Sequence, residues 1–260
     1  MKISVIGAGN MGGALLEAII KMNRHEIKVF DPSEKAKANF SEYKCVEFAG
    51  SEADAVKGAE LVIIAVKPKF VDAVCEKLVK SFDPSKTVLL SVAAGVKVSV
   101  YEKHFGNIGI VRTMPNLPAL CGEGYTGLYF KNVNDEKLKS EIIEIFSSVG
   151  ETGVFPGEDM IDKLIPVTSS SPAYICLLIE AMADGAVRLG FSRDEAYKMC
   201  EQAVLGTAQY LKESGMHPAE LKDRVCSPAG TTIEAVLALE ENGFRNSILQ
   251  AMDKCYKKLG

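Results

Sequence analysis

The run Gly7-Ala8-Gly9-Asn10-Met11-Gly12 restricts the architecture of this chain more than any other feature. It stands between an apolar strand candidate (residues 2–6) and a helix-periodic stretch (residues 11–22). In that setting the spacing GxGxxG has a mechanical meaning. Gly7 permits a tight turn, Gly9 lets a pyrophosphate approach the backbone, and Gly12 lets the helix pack close to the strand. The unpaired N–H groups of the helix start then face the phosphates. Outside that setting, the same residues would also suit a glycine-rich turn without a ligand. Contacts with a dinucleotide are therefore expected from Ile6, Gly7, Ala8, Gly9, Asn10, Met11 and Gly12.

A second strand candidate (residues 27–31) ends in an acid, Asp31, 19 residues beyond Gly12. A carboxylate there can accept hydrogen bonds from the adenosine ribose, which favours NADH over NADPH. It would repel a 2′-phosphate by roughly 1 to 4 kcal/mol at ~4 Å, depending on the effective dielectric. Lys35, one helical turn on, could offset part of that. The competing reading makes Asp31 the cap of a helix that starts near Ser33. Ala65-Val66-Lys67-Pro68 and Ser91-Val92-Ala93-Ala94-Gly95 close two further strand candidates. The carboxyl ends of strands border the ligand crevice in open α/β sheets. Ala65, Val66, Lys67, Pro68, Ala93 and Ala94 thus join the expected cofactor contacts.

Strand candidates at residues 2–6, 27–31, 61–65, 87–91, 108–113 and 125–130 alternate with helix-like stretches at 11–22, 69–81 and 135–148. Residues 62–66 are continuously apolar, as in a strand covered on both faces. The alternation implies a doubly wound, Rossmann-type parallel sheet over residues 1–156, with residues 125–130 as an antiparallel edge strand. After Phe155-Pro156-Gly157 the texture changes, and residues 157–260 read as an all-helical domain. Residues 172–189 are apolar over most of their surface, with Glu180, Asp184 and Arg188 marking one polar stripe. Such a helix needs cover on several sides, which a second subunit or a larger core would supply.

Composition narrows the function classes. A net charge of −4 offers no electrostatic reason to expect nucleic acid or an acidic membrane as partner. No signal peptide is expected from the first residues, and no apolar stretch approaches the ~20 residues of a membrane span. Seven scattered cysteines without a CxxC pair suit reduced thiols in a cytoplasm. The three histidines are not spaced for metal binding, so no metal is expected.

Near the other terminus, Cys226-Ser227-Pro228-Ala229-Gly230-Thr231-Thr232-Ile233-Glu234 leads a small-residue loop into a helix start. Thr231 and Glu234 have the spacing of a capping box. The free amides of such a start would bind a carboxylate or phosphate; an ordinary N-cap is the plainer reading.

Taken together these blocks resemble the pyrroline-5-carboxylate reductase family along nearly the whole chain. The likeness rests on the glycine motif, Ala65-Val66-Lys67-Pro68, Ser91-Val92-Ala93-Ala94-Gly95 and Met114-Pro115-Asn116-Leu117-Pro118. It continues through Gly122-Glu123-Gly124, Ser171-Pro172-Ala173-Tyr174, His217-Pro218-Ala219-Glu220-Leu221-Lys222-Asp223 and the loop 227–232. The resemblance implies reduction of the cyclic imine 1-pyrroline-5-carboxylate to proline by NADH or NADPH, with Asn116 among the cofactor contacts, and it implies that residues 157–260 bind substrate and assemble the chain into dimers or larger homo-oligomers. It implies that Ser227, Ala229, Gly230, Thr231 and Thr232 surround the substrate carboxylate, that the Thr232 hydroxyl meets the ring nitrogen, and that Glu158 lies near the substrate. An iminium carbon is already electrophilic, so proximity and orientation suffice and no catalytic His or Cys is required. His104 and His217 read as a surface residue and a helix start.

Several positions depart from the family pattern. Ser169-Ser170-Ser171 replaces a Gly-Ser-Gly arrangement, removing access to φ > 0. Ala229 replaces a glycine and is expected at negative φ unless strained. Leu117 stands for a threonine, Glu52 for an asparagine and Lys163 for a small residue. Two other readings are a β-hydroxyacid-dehydrogenase-like reductase, with Lys163 as its catalytic lysine, and a nucleotide-sensing protein without turnover.

Overall fold

The computed structural model describes residues 1–259, which divide into two compact units, Met1–Ser169 and Ser170–Lys258. The division falls beyond the change of texture at residue 156, because the helix that opens there packs on the sheet of the first unit.

The first unit carries eight strands: β1 (Lys2–Ile6), β2 (Glu26–Phe30), β3 (Val46–Phe48), β4 (Leu61–Ile64), β5 (Val88–Ser91), β6 (Ile110–Met114), β7 (Gly124–Lys131) and β8 (Gly150–Val154). Its helices are α1 (Asn10–Met22), α2 (Glu34–Phe40), α3 (Glu52–Val56), α4 (Val71–Leu78), α5 (Val98–Phe105), α6 (Glu136–Ser147) and α7 (Glu158–Leu164). The strands form one sheet in the order β3-β2-β1-β4-β5-β6-β7-β8. All neighbours run parallel except β6 and β7. The expected antiparallel strand exists, but it is not the edge: β8 pairs parallel to it and takes that place.

The continuous apolar run of β4 divides by alternation, as a strand covered on both faces must. Leu61 and Ile63 join Leu15, Leu16 and Ile19 of α1 and Phe146 of α6 on one face. Val62 and Ile64 join Val71 and Leu78 of α4 and Tyr101 of α5 on the other. Strand order reverses between β1 and β4, which places the topological switch point, and hence the ligand crevice, at their carboxyl ends.

The second unit is entirely helical: α8 (Ser171–Arg188), α9 (Arg193–Ser214), α10 (Pro218–Val225), α11 (Thr231–Glu241) and α12 (Phe244–Lys257). A Ser192–Glu195 capping box starts α9, and Gly215 ends it in the left-handed region at φ +63°. A π-helical turn, Ile165–Ser169, precedes α8. The run Glu158–Arg188 is long and apolar enough to cross a membrane by length and composition, contrary to the expectation that no stretch would be. None of the three serines at 169–171 adopts a positive φ, so the missing glycines do not strain the start of α8.

Candidate active site

At the carboxyl end of β1 the three motif glycines are held by different constraints. Gly7 turns at φ +97°, and a Cβ there would stand 2.6 Å from the Ala65 carbonyl oxygen. At Gly12 a Cβ would lie 2.0 Å from the Gly7 carbonyl oxygen, so only glycine lets α1 come this close. Gly9 has open space within 4 Å of the corresponding position. It is also the N-cap of α1 and offers no side-chain cap. The first amides of α1 therefore face an unobstructed space, which suits a pyrophosphate. Ile6 is 1 % exposed and belongs to the core, so its side chain does not line this space.

Asp31 follows β2 and is nearly buried. Its Oδ2 accepts from the Ala8 amide at 2.6 Å and its Oδ1 from the Ser33 amide at 2.8 Å. The carboxylate thus ties the glycine loop to the start of α2, while Ser33 caps that helix through the Ala36 amide. Asp31, Lys35 and Asn39 line the same groove of about 510 Å³ beside Gly9 and Asn10. Ala65, Val66, Lys67 and Pro68 leave β4 at the neighbouring position, with Lys67 exposed at the start of a short 3-10 turn, Pro68–Phe70. Beyond β5, Ala93 is buried while Ala94 and Gly95 are exposed, Gly95 at φ +71°. The glycine loop, Asp31, residues 65–68 and residues 93–94 thus gather along one edge of the sheet, at carboxyl ends of parallel strands.

Two expected site residues are taken up by the fold. The Asn116 amide donates to the Thr168 carbonyl at 3.0 Å and accepts from the Tyr125 amide at 2.8 Å. Glu158 is not a free acid at a helix start: its Oε1 accepts from Arg112 Nη1 at 3.0 Å and from the Val98 amide at 2.7 Å. Arg112, on β6, is fully buried and reaches Asp162 with both Nη atoms; its Nε has no hydrogen-bond partner. Nearby, the Tyr101 hydroxyl lies 2.5 Å from Ser91 Oγ, which accepts from the Ala93 amide at 3.1 Å. Burial pushes the Tyr101 phenol well above the ordinary tyrosine range, against the opposing hydrogen bond from Ser91. A charge within an apolar strand signals such a network, because a buried cation must be paired. Arg112 in Ile110-Val111-Arg112-Thr113-Met114 was that sign.

In the helical unit, the loop before α11 is a tight turn closed by the Gly230 amide on the Ser227 carbonyl at 3.0 Å. A Cβ on Gly230 would stand 2.3 Å from Ser227 Oγ, so the turn requires glycine. Ala229 sits at φ +54°, correcting the expectation of negative φ: the turn imposes the left-handed region on a residue with a Cβ. The capping box is also corrected. Gly230, extended at φ −82° and ψ 169°, is the N-cap, and no side chain caps the helix. Thr231 has already entered the first turn, so its hydroxyl cannot serve as the N-cap acceptor. The amides that open α11 face outward around Thr231 and Thr232, as an anion cradle would. His217 caps α10 through Nδ1 and the Ala219 amide at 3.2 Å. Lys163 Nζ lies 2.5 Å from Asp159, Glu52 pairs with Lys77 at 2.6 Å, and Leu117 is exposed.

Comparison with known proteins finds likenesses to both units. Residues 158–260 match the family model described as pyrroline-5-carboxylate reductase dimerisation, and residues 2–95 match one described as NADP oxidoreductase, coenzyme F420-dependent. The chain is 40% identical to the pyrroline-5-carboxylate reductase of Escherichia coli, over 99% of this chain and 96% of that one. The solved structure of a pyrroline-5-carboxylate reductase from Coxiella burnetii superposes with a TM-score of 0.90 at 32% identity, covering 99% of this chain and 96% of that one. The Plasmodium falciparum enzyme, solved with NADP bound, gives 0.85 at 26% identity, covering 100% and 97%. With full-length identity at this level to enzymes of one name, the chain belongs to the pyrroline-5-carboxylate reductase family.

Proposed function

We propose that this chain reduces 1-pyrroline-5-carboxylate to L-proline, the last step of proline biosynthesis, with a hydride supplied by a reduced nicotinamide dinucleotide. The full-length likeness to pyrroline-5-carboxylate reductases carries the reading. Two uncapped helix starts support it physically, α1 for a pyrophosphate and α11 for a small carboxylate. Gly7, Gly9, Gly12 and the α1 amides would hold the dinucleotide phosphates, and Asp31 the adenosine ribose. Residues 227–232 would hold the substrate carboxylate through backbone amides, leaving the Thr232 hydroxyl to orient the ring nitrogen. The protein then needs no strong acid of its own, since a protonated imine is already electrophilic. A catalytic lysine at 163, as in β-hydroxyacid dehydrogenases, is not supported: its ammonium is paired with Asp159.

NADH is the cofactor we favour. Both Asp31 oxygens are fixed by backbone amides, so a 2′-phosphate would meet an immobile anion. Lys35 in the same groove offsets part of that repulsion. We place the enzyme in a reducing cytoplasm, consistent with seven unpaired thiols among the described residues. Initial rates with pyrroline-5-carboxylate and either reduced cofactor test the assignment. Loss of the reduced-nicotinamide absorbance is expected with both, at higher kcat/KM for NADH. No consumption of either would overturn the function, and equal efficiencies would overturn the role given to Asp31.

A further inference from the structure

We propose that Arg112 is a positioning residue for the nicotinamide end of the cofactor site, acting through Glu158 on the loop of residues 92–97. The proposal rests on the dinucleotide reading above: with Asp31 after β2 taking the adenosine ribose, the carboxyl end of β5, across β1 and β4 in the sheet, is left for the nicotinamide half. Arg112 is fully buried on β6, between Val111 and Thr113 and beside Ser91 of β5 and Tyr129 of β7, where an apolar side chain would serve the sheet at least as well. What the guanidinium does instead is hold two carboxylates of α7, Glu158 and Asp162, set four residues apart on one face.

Glu158 Oε1 is shared. It receives Arg112 Nη1, and it also receives the amide of Val98, the first residue of α5. Lys97, the N-cap of α5, provides no side-chain cap, so the cap comes from a carboxylate 60 residues away. A carboxylate at that end also meets the positive pole of the helix. Asp162 occupies the other side of the guanidinium fork, which keeps Nη1 directed at Glu158.

The opposite end of the loop is fastened independently. Ser91 Oγ accepts the Ala93 amide and meets the hydroxyl of Tyr101, itself part of α5. The Thr113 hydroxyl, next to Arg112 on β6, donates to the Ser91 carbonyl at 3.0 Å. Between these two anchors only Ala94, Gly95 and Lys97 are exposed. The loop is therefore a short rigid ledge at the carboxyl end of β5, with Arg112 at the centre of its support. A ledge of that kind acts on orientation, where reacting atoms must be held ~3–3.5 Å apart and ~1 Å of misplacement can cost 100-fold.

The test compares Arg112→Met with wild type for binding of NADH and of ADP-ribose, which keeps the adenosine and pyrophosphate but lacks nicotinamide. NADH affinity should fall about 10-fold while ADP-ribose affinity stays within about 2-fold, and kcat should fall about 10- to 100-fold. Should Arg112→Met not fold, Glu158→Ala leaves Arg112 paired with Asp162 and should give the same split. Glu158→Gln, which keeps an acceptor for the Val98 amide, should recover most of the NADH affinity. Equal losses for both ligands, or no loss for either, would reduce the network to ordinary fold support and overturn the proposal. Wild-type protein that binds NADH but does not reduce the imine would instead overturn the function, leaving the binding split to decide the role of Arg112.

Discussion

At the scale of single residues, the turn before α11 contains its own source of strain. Ala229 is held at φ +54°, a region that costs a residue with a Cβ about 1 kcal/mol or more. Ala229→Gly should relieve this, with part of the gain lost to the greater freedom of the unfolded chain. A net stabilisation of about 0.5–1 kcal/mol is expected, read as a Tm increase of roughly 1 to 4 °C. An unchanged or lower Tm would mean that the turn tolerates the alanine at no cost. Thr232, three positions on, has a different part. If its hydroxyl meets the ring nitrogen as proposed, losing it removes one hydrogen bond to a charged group, about 1.5–3 kcal/mol where that bond strengthens in the transition state. Thr232→Ala should therefore lower kcat about 10-fold or more while NADH affinity, measured by fluorescence titration, stays at the wild-type value. Parallel loss of both would refute the assignment.

At the scale of elements, the connection between β2 and α6 carries a pH-dependent contribution. His25, just before β2, has a side chain only 1 % exposed and ring nitrogens without a hydrogen bond; Glu141 of α6 lies 3.2 Å from Nε2. Burial depresses the imidazole pKa, outweighing the opposing pull of Glu141. A depressed histidine stabilises the fold fully above its ordinary value near ~6.5, where both states are neutral. As pH falls through that value toward the lower folded one, the unfolded chain takes up a proton that the folded chain refuses, and stability declines. Thermal melts should show a Tm drop between about pH 7 and about pH 5.5 that His25→Leu reduces. Neighbouring Arg24, bonded to Glu141 and Glu144, stays charged throughout and contributes no slope in this range.

At the scale of the whole molecule, the helical unit cannot be self-sufficient. Within Ser170–Lys258 only Ala183, Ala196 and Cys200 are buried, while Leu177, Leu189, Leu205 and Leu249 are each more than half exposed. So much apolar surface on helices of this length demands a partner. The match of this region to the family's dimerisation model supports another copy of the chain in that place. Light scattering should give a mass of at least twice the 28.1 kDa of one chain. Leu177→Glu on α8 should shift the population toward monomer, and a monomeric wild type would contradict the argument.

What could be read from the sequence was whatever depends on near neighbours. The glycine spacing, the two-sided apolar run of β4, the helical texture after residue 156 and the family blocks all report local geometry or periodicity, and each has its counterpart in the structure. Strands β3 and β8 escaped notice because Val46–Phe48 is short and Gly150–Val154 is polar and glycine-rich. Both are strands only by virtue of partners elsewhere, and Gly150 is required because a Cβ would stand 2.0 Å from the Gly124 carbonyl oxygen. The same holds for the site. The sequence alone determined that a glycine loop opens α1 and that a small-residue turn opens α11, since each is built from consecutive residues. Only the tertiary structure decided that Glu158 is joined to Arg112 and Val98, that Gly230 rather than Thr231 caps α11, and that Ala229 is left-handed. Those outcomes depend on which distant groups are left with unpaired charges or amides after packing, and on how a turn closes, and neither is a property of spacing along the chain.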